Sequence, residues 1–323
     1  MNELTTKISL HLKPYLAIPK RLIKVFYKSV SAWIDHRGAS KGAALAFYTL
    51  FSMAPILILV IAIAGYFFGA EAAQGQLIHQ IQSLVGPNGA RAIQAMLAGA
   101  QDPSSGIMAT LVAIVLLFIG ATSVFTELKE SLDEMWGVPK SKLSPMSILL
   151  RTRLLSFGLV MVLAFLLLIS LVVSTLLSLL EHYVGGIWQS SAQLFTIISS
   201  LISYGVITSL FAIIYKMLPD APLSWRDVAI GAIFTAGLFM LGKFFIGLYL
   251  GNSAVASSFG AAGSLIALLL WVYYSAQIFF LGAEFTRQYS VCHGSLQRYK
   301  QQQIEVDKII AKPLSKTTSK LTK

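Results

Sequence analysis

The stretch FTAGLFMLGKFFIGLYLGNS, residues 234–253, holds a single charged residue, Lys243, in an otherwise uncharged run of twenty. A helix needs about 20 mostly apolar residues to cross a hydrocarbon core of about 30 Å, so the run reads as a membrane span. The whole chain has the same character. Of its 323 residues 56% are hydrophobic and 12% charged, with a mean hydropathy of +0.72, whereas a soluble domain carries about 25% charged residues. Six stretches meet the spanning requirement, at about 43–68, 107–126, 154–180, 194–217, 228–250 and 262–285. The expected fold is all-α: a polytopic membrane protein with six transmembrane helices.

The basic residues set the orientation, because loops on the cytoplasmic side accumulate Lys and Arg near the membrane. Of the 25, eight precede the first span, five lie between the second and third, two between the fourth and fifth, and eight follow the sixth. Arg91 alone falls on the other side, and Lys243 lies within a span. Both termini are therefore expected in the cytoplasm. The net charge of +11 is a topology signal, which removes the argument for a nucleic-acid partner.

Around the spans the chain divides into three parts: a cytoplasmic N-terminal segment (1–41), the transmembrane domain (42–287) and a basic cytoplasmic tail (288–323), polar and expected to be disordered beyond 312. Residues 18–37 place Leu22, Phe26, Val30, Trp33 and Ile34 on one helical face, with Lys20, Arg21, Lys24 and Lys28 largely opposite. Such a helix lies in the membrane plane, as an anchor for the first span or as a headgroup-binding site. Residues 69–106 form a long external loop in which Leu77, Ile78, Ile81 and Leu84 precede the turn VGPNG and Ile93, Met96 and Leu97 follow it. This predicts two short amphipathic helices folded as a hairpin. No internal repeat is visible.

Catalytic chemistry has no visible constellation. The five histidines are scattered, no GxSxG or Walker-type loop occurs, and Cys292 is the one cysteine, so no disulfide within the chain or cysteine metal site can form. Glu127, Glu130 and Glu134 share a helical face in TELKESLDEMWGV. They could hold a divalent cation, but a helix with Leu128, Leu132, Met135 and Trp136 on its other face and a solvated acidic side explains them as well. No catalytic residue, metal or cofactor is assigned, and the chain is not read as an enzyme.

Polar groups within the spans are the better clue, since they are costly in hydrocarbon and usually face protein or a cavity. Tyr48, Thr49 and Ser52 precede Pro55, which removes a backbone hydrogen bond and kinks the helix beside them; they line a pathway or pack helices. Glu284 closes the sixth span three residues before Arg287. An ion pair with Arg287 or Arg226, or a proton-coupling role, would account for it. Lys243 lies about 13 Å of helix from Asn252. Steps of three and four place it with Ala232, Ala236, Met240, Gly247 and Gly251, opposite Phe234, Leu238, Leu241, Phe245 and Leu248. The Gly247/Gly251 pair has the spacing of close helix approach. Lys243 thus points toward protein, with no acid in a neighbouring span at its depth. Its counter-charge is structural (backbone carbonyls or a loop carboxylate) or an anionic ligand from outside. The small, uncharged GNSAVASSFGAAGS (251–264) that follows reads as a re-entrant segment or lid.

Four segments together resemble the YihY/virulence factor BrkB family of bacterial inner-membrane proteins. They are ALAFYTLFSMAPILILVI (44–61), YKMLPDAPLSWRDVAIGA (215–232), the Lys243 and Tyr249 pair, and GSLIALLLWVYYSAQIFFLGAEF (263–285). Matching positions are Tyr48, Ser52, Pro55, Pro219, Trp225, Gly231, Lys243, Tyr249, Trp271, Tyr273, Gly282 and Glu284. The resemblance implies six spans, cytoplasmic termini and the inner membrane. The family has carried the label ribonuclease BN, which nothing in this chain supports. The leading functional expectation is a transporter or flippase-like protein for an anionic or amphipathic solute, a lipid among the candidates. The alternative is a non-transporting scaffold or assembly factor of the envelope. Candidate ligand or pathway residues are Lys243, Gly247, Gly251, Asn252, Tyr48, Ser52, Pro55, Tyr249, Trp271, Tyr274 and Glu284. Membrane lipids are the expected partners, nucleic acid is not, and no oligomeric state is specified.

Overall fold

A computed structural model describes residues 22–100, 123–138, 158, 191–252 and 262–297. The described residues are helical with short connections: α1 (22–35), α2 (Gly38–Phe68), α3 (Ala70–Ala100), α4 (123–135), α5 (Ser191–Met217), α6 (Trp225–Asn252) and α7 (Gly263–His293). The second expected span lies largely outside this set, as do the third, almost all of the small-residue segment after Asn252, and the tail beyond 297.

Among the described residues, three helical stretches are long and apolar enough to cross a membrane: Ile197–Met217, Trp225–Tyr249 and Gly263–His293. The bent pair Gly38–Ala54 and Ile56–Tyr66, whose limbs meet at 45°, makes a fourth if it is counted as one span. The bend falls where Pro55 leaves one carbonyl of the preceding turn without its amide. These four stretches coincide with the first, fourth, fifth and sixth expected spans. Because α7 continues to His293, it runs eight residues past the apolar run; it stays helical there because Phe285, Thr286 and Ser290 are still buried against protein.

Helix α7 is the hub, packed against α2, α3 and α6, while α5 packs on α6. Its contact with α6 is close because two glycines sit in it. A Cβ on Gly231 would collide with the Thr286 side chain, and one on Gly282 with Thr235 and, at 2.7 Å, with the Tyr215 hydroxyl. Ala232 and Ala236 lie fully buried in the same seam, as the small-residue face of this helix predicts. Tyr215, Phe211, Phe279, Phe280, Leu132, Met135 and Trp136 form the main core around it.

A second cluster joins α2, α3 and α7 through Val60, Ile61, Leu77, Ile78, Ile93, Leu97, Leu268 and Val272. Helix α3 carries its break at Gly86, whose φ of 78° is open to glycine, inside the turn expected at VGPNG. Apolar residues on both sides of that break enter the one cluster. Helix α1 buries Val25, Ser29 and Ala32 and leaves Leu22, Phe26 and Ile34 exposed. The edge that meets protein is therefore offset from the bulky apolar stripe read in the sequence, because small residues let the helix approach. Arg37 joins α1 to α2 with φ 55°, and it is the one residue other than glycine with positive φ among those described.

Replacing Gly282 with Val should force α6 from α7 and lower stability by about 1–3 kcal/mol, the usual cost of overpacking. Thermal unfolding of the detergent-solubilised protein measures this; Gly247→Val serves as the contrast, with little change expected.

Candidate functional site

The polar residues gather mainly where α1, α2, α4, α6 and α7 meet. This is the basic end of the bundle, holding Lys41, Lys129, Lys216, Arg226 and Arg287 near helix ends. Glu284 is fully buried there. The His36 Nδ1–H donates to its Oε1 at 2.6 Å, and Arg287 stands 3.8 Å from its Oε2. Of the partners read in the sequence Arg287 is present, but at the edge of ion-pair range, while the close contact comes from His36 at the α1–α2 corner. No sequence signal marked His36, which lies 248 positions away.

Around Glu284 the α7 backbone accepts additional hydrogen bonds. Trp136 Nε1–H donates to the Ala283 carbonyl at 3.1 Å, and the Tyr215 hydroxyl to the Phe279 carbonyl at 2.7 Å. Thr286 Oγ1 donates to the Gly282 carbonyl at 2.8 Å. The first two bonds hold the end of α4 and α5 to one short stretch of α7 around Glu284.

The acidic run after the second expected span is engaged largely by basic groups. Lys129 donates to Asp133 at 2.6 Å and to Asp220 at 2.9 Å, tying α4 to the α5–α6 connection. Burial alone would lower the Lys129 pKa, but hydrogen bonds and charges from both aspartates outweigh it and hold it above the ordinary lysine value. Glu134 pairs with Lys41 at 2.6 Å. Leu128, Leu132, Met135 and Trp136 are buried, as the apolar face predicts. Among the described residues no three His, Cys, Asp or Glu side chains converge as metal ligands. Asp227 is likewise committed, accepting from Ser290 Oγ at 2.8 Å and from Ser295 N and Oγ at 2.7 Å each.

Lys243 belongs to the other half of α6. It is half-buried and, among the described residues, has no hydrogen-bond or ion-pair partner. Its neighbours Phe244, Phe245, Leu248 and Tyr249 are exposed, and a Cβ at Gly247 would meet no atom of the described residues within 4 Å. The close approach in this half falls at Gly242, where a Cβ would meet Tyr274 and Ile278. Tyr274 thus packs against Gly242, the residue before Lys243 on α6. Gly251 and Asn252 end α6. Trp271 is half-buried, edge-on to Phe239 at 6.1 Å, with no partner for its indole N–H among the described residues. Ser52 is buried and Tyr48 exposed, in the limb of α2 before the bend. Lys243 and Tyr274 therefore lie away from the basic end, and Glu284 with His36 lies about 15 Å of helix from Tyr274.

Sequence comparison places these residues in context. The family model described as Virulence factor BrkB matches residues 29–305. A UPF0761 membrane protein of Psychrobacter sp. (strain PRwf-1) is 26% identical over 260 residues, covering 79% of this chain and 46% of its own length. Another, from Acinetobacter baylyi, is 25% identical over 261 residues, covering 80% of this chain and 59% of that protein. A third, from Stenotrophomonas maltophilia (strain K279a), is 25% identical over 277 residues, covering 85% and 61%. The chain thus spans about half to three-fifths of the length of these curated relatives. No solved structure matches.

The two ion-pair sites differ in burial, and their variants should differ accordingly. Lys129→Met leaves two carboxylates facing each other beside a nearly buried position and should cost about 2–3 kcal/mol. Lys41→Met removes one ion pair from Glu134, whose side chain is 65% exposed, and should cost under about 1 kcal/mol. Thermal denaturation of the two variants in parallel reads the difference.

Proposed function

The chain belongs to the virulence factor BrkB family, and we propose that it acts as an inner-membrane transporter or flippase-like protein for an anionic or amphipathic solute, with lipids the favoured class. The observation that carries this reading is Lys243. It is a half-buried cation within an apolar candidate span, and no described residue neutralises it. A cation at membrane depth costs about 3 kcal/mol or more when unpaired. An anionic group approaching from the outer side would remove that cost on arrival, which gives the site selectivity for negative charge. Tyr274, beside Gly242, and Tyr249, exposed about two turns further on, supply hydroxyls and aromatic faces on either side of Lys243 along the helix. Such a site binds and reorients its ligand without covalent chemistry.

In this reading six spans enclose the route, both termini lie in the cytoplasm, and the amphipathic stripe of α1 left exposed by its docking rests on lipid. The bend of α2 beside Ser52 lets its outer limb lean away from its inner limb.

Retention of anionic lipid tests the reading. The full-length protein, purified in mild detergent and titrated with phosphatidylglycerol or phosphatidylcholine, is followed by native mass spectrometry. Selective binding of phosphatidylglycerol should weaken about tenfold in Lys243→Met, equivalent to about 1.4 kcal/mol, and recover largely in Lys243→Arg. If Lys243→Met lowers yield and thermal stability while lipid selectivity is unchanged, Lys243 serves helix packing and the scaffold reading replaces this one.

A further inference from the structure

Buried polar groups along the seam between α2 and α7 lack the partners their chemistry requires. Among the described residues, neither the oxygen nor the nitrogen of the Gln277 amide makes a hydrogen bond, and the same holds for Glu284 Oε2. Gln277 and Glu284 are seven residues apart on α7, two helical turns, so they share one face at about 10 Å separation. That face looks onto α2: a Cβ at Gly42 would run into the Gln277 amide, and His36 holds Glu284 Oε1 at 2.6 Å. Buried polar atoms in native proteins are satisfied in about 90% of cases or more, by protein or by water. Orphan atoms that lie in sequence from a half-exposed histidine inward mark a polar path.

The charged surroundings favour proton binding over a fixed ion pair. His36 is 28% exposed and Glu284 0%, so the pair connects solvent to the interior. The other charges that act on Glu284 are Arg287, at 3.8 Å on α7, and Asp35 at the end of α1. Lys41 on α2 is engaged with Glu134 of α4, Lys129 of α4 with Asp133 and Asp220, and Asp227 of α6 with Ser290 and Ser295. None of the three holds the second oxygen of Glu284.

We propose that His36 and Glu284 form a proton-binding site entered from the basic, cytoplasmic side, with the Gln277 amide as the next polar station inward. In the resting state the neutral imidazole donates its Nδ1–H to the Glu284 carboxylate. A proton arriving from water binds His36 Nε2, giving an imidazolium. The Nδ1 proton then moves to Glu284 Oε1, leaving a neutral imidazole protonated at Nε2 and a carboxylic acid. One proton is taken up, no other bond changes, and the acid can donate inward through water toward Gln277. The site stands whether or not the chain transports a solute.

Difference infrared spectroscopy of the full-length protein in phosphatidylcholine nanodiscs, between about pH 4 and 9, reads protonated carboxyl groups directly. The expected result is a carbonyl-stretch component that is absent in Glu284→Gln and displaced in frequency in Glu284→Asp. In His36→Gln its midpoint should move by about one pH unit or more. In Gln277→Leu its frequency should change while its amplitude persists. A structural ion pair that never takes up a proton would give no Glu284-dependent component in this range, and that result overturns the proposal. So does a midpoint indifferent to His36.

Discussion

Between α6 and α7 there is room for hydrogen atoms and little else at Gly231 and Gly282, and the basic end of the protein is arranged around that contact. Because the two helices touch there, the Tyr215 hydroxyl reaches the α7 backbone and the Trp136 indole reaches the Ala283 carbonyl. Those bonds draw α5 and α4 onto the same few residues. Glu284 lies within the stretch so defined, and its single close side-chain partner comes from the α1–α2 corner. Tight packing and the burial of a carboxylate are thus one arrangement: the approach that removes lipid and water from α7 also leaves Glu284 dependent on His36 and Arg287.

Lys243 and Glu284 both lie within candidate spans, and the structure treats them differently. Glu284 sits where five helices converge, with polar neighbours supplied by several of them. Lys243 sits on a half of α6 whose described surroundings are sparse, with the nearest close contact displaced to Gly242 and Tyr274. A carboxylate with a histidine at 2.6 Å can exchange a proton with little rearrangement. A lysine without a described counter-charge is suited instead to receive one.

Part of the architecture was legible in the sequence because hydropathy responds to the bilayer, a uniform solvent. Four of the six expected spans coincide with described helices, and the break expected at VGPNG falls at Gly86. Burial of Ala232 and Ala236 follows from the same periodicity. What the sequence could not supply was the identity of partners. Small residues permit close approach on a face, but the shape of the opposing helix decides where it occurs; among the described residues it occurs at Gly231 and Gly242. The His36–Glu284 pair joins residues 248 positions apart through a corner set by the left-handed conformation of Arg37, for which neither residue carries a local signature. Helix α1 shows the same limit: its bulky stripe was visible, but docking uses the smaller edge of Val25, Ser29 and Ala32.

The central claim is that the N-terminal corner and the hub helix are energetically one unit through His36 and Glu284. A double-mutant cycle on unfolding of the full-length protein, comparing His36→Gln, Glu284→Gln and the double variant, measures this directly. A coupling of about 1–3 kcal/mol is expected for two groups in one buried network. Effects that add within about 0.5 kcal/mol would show the two residues to be independent and contradict the account.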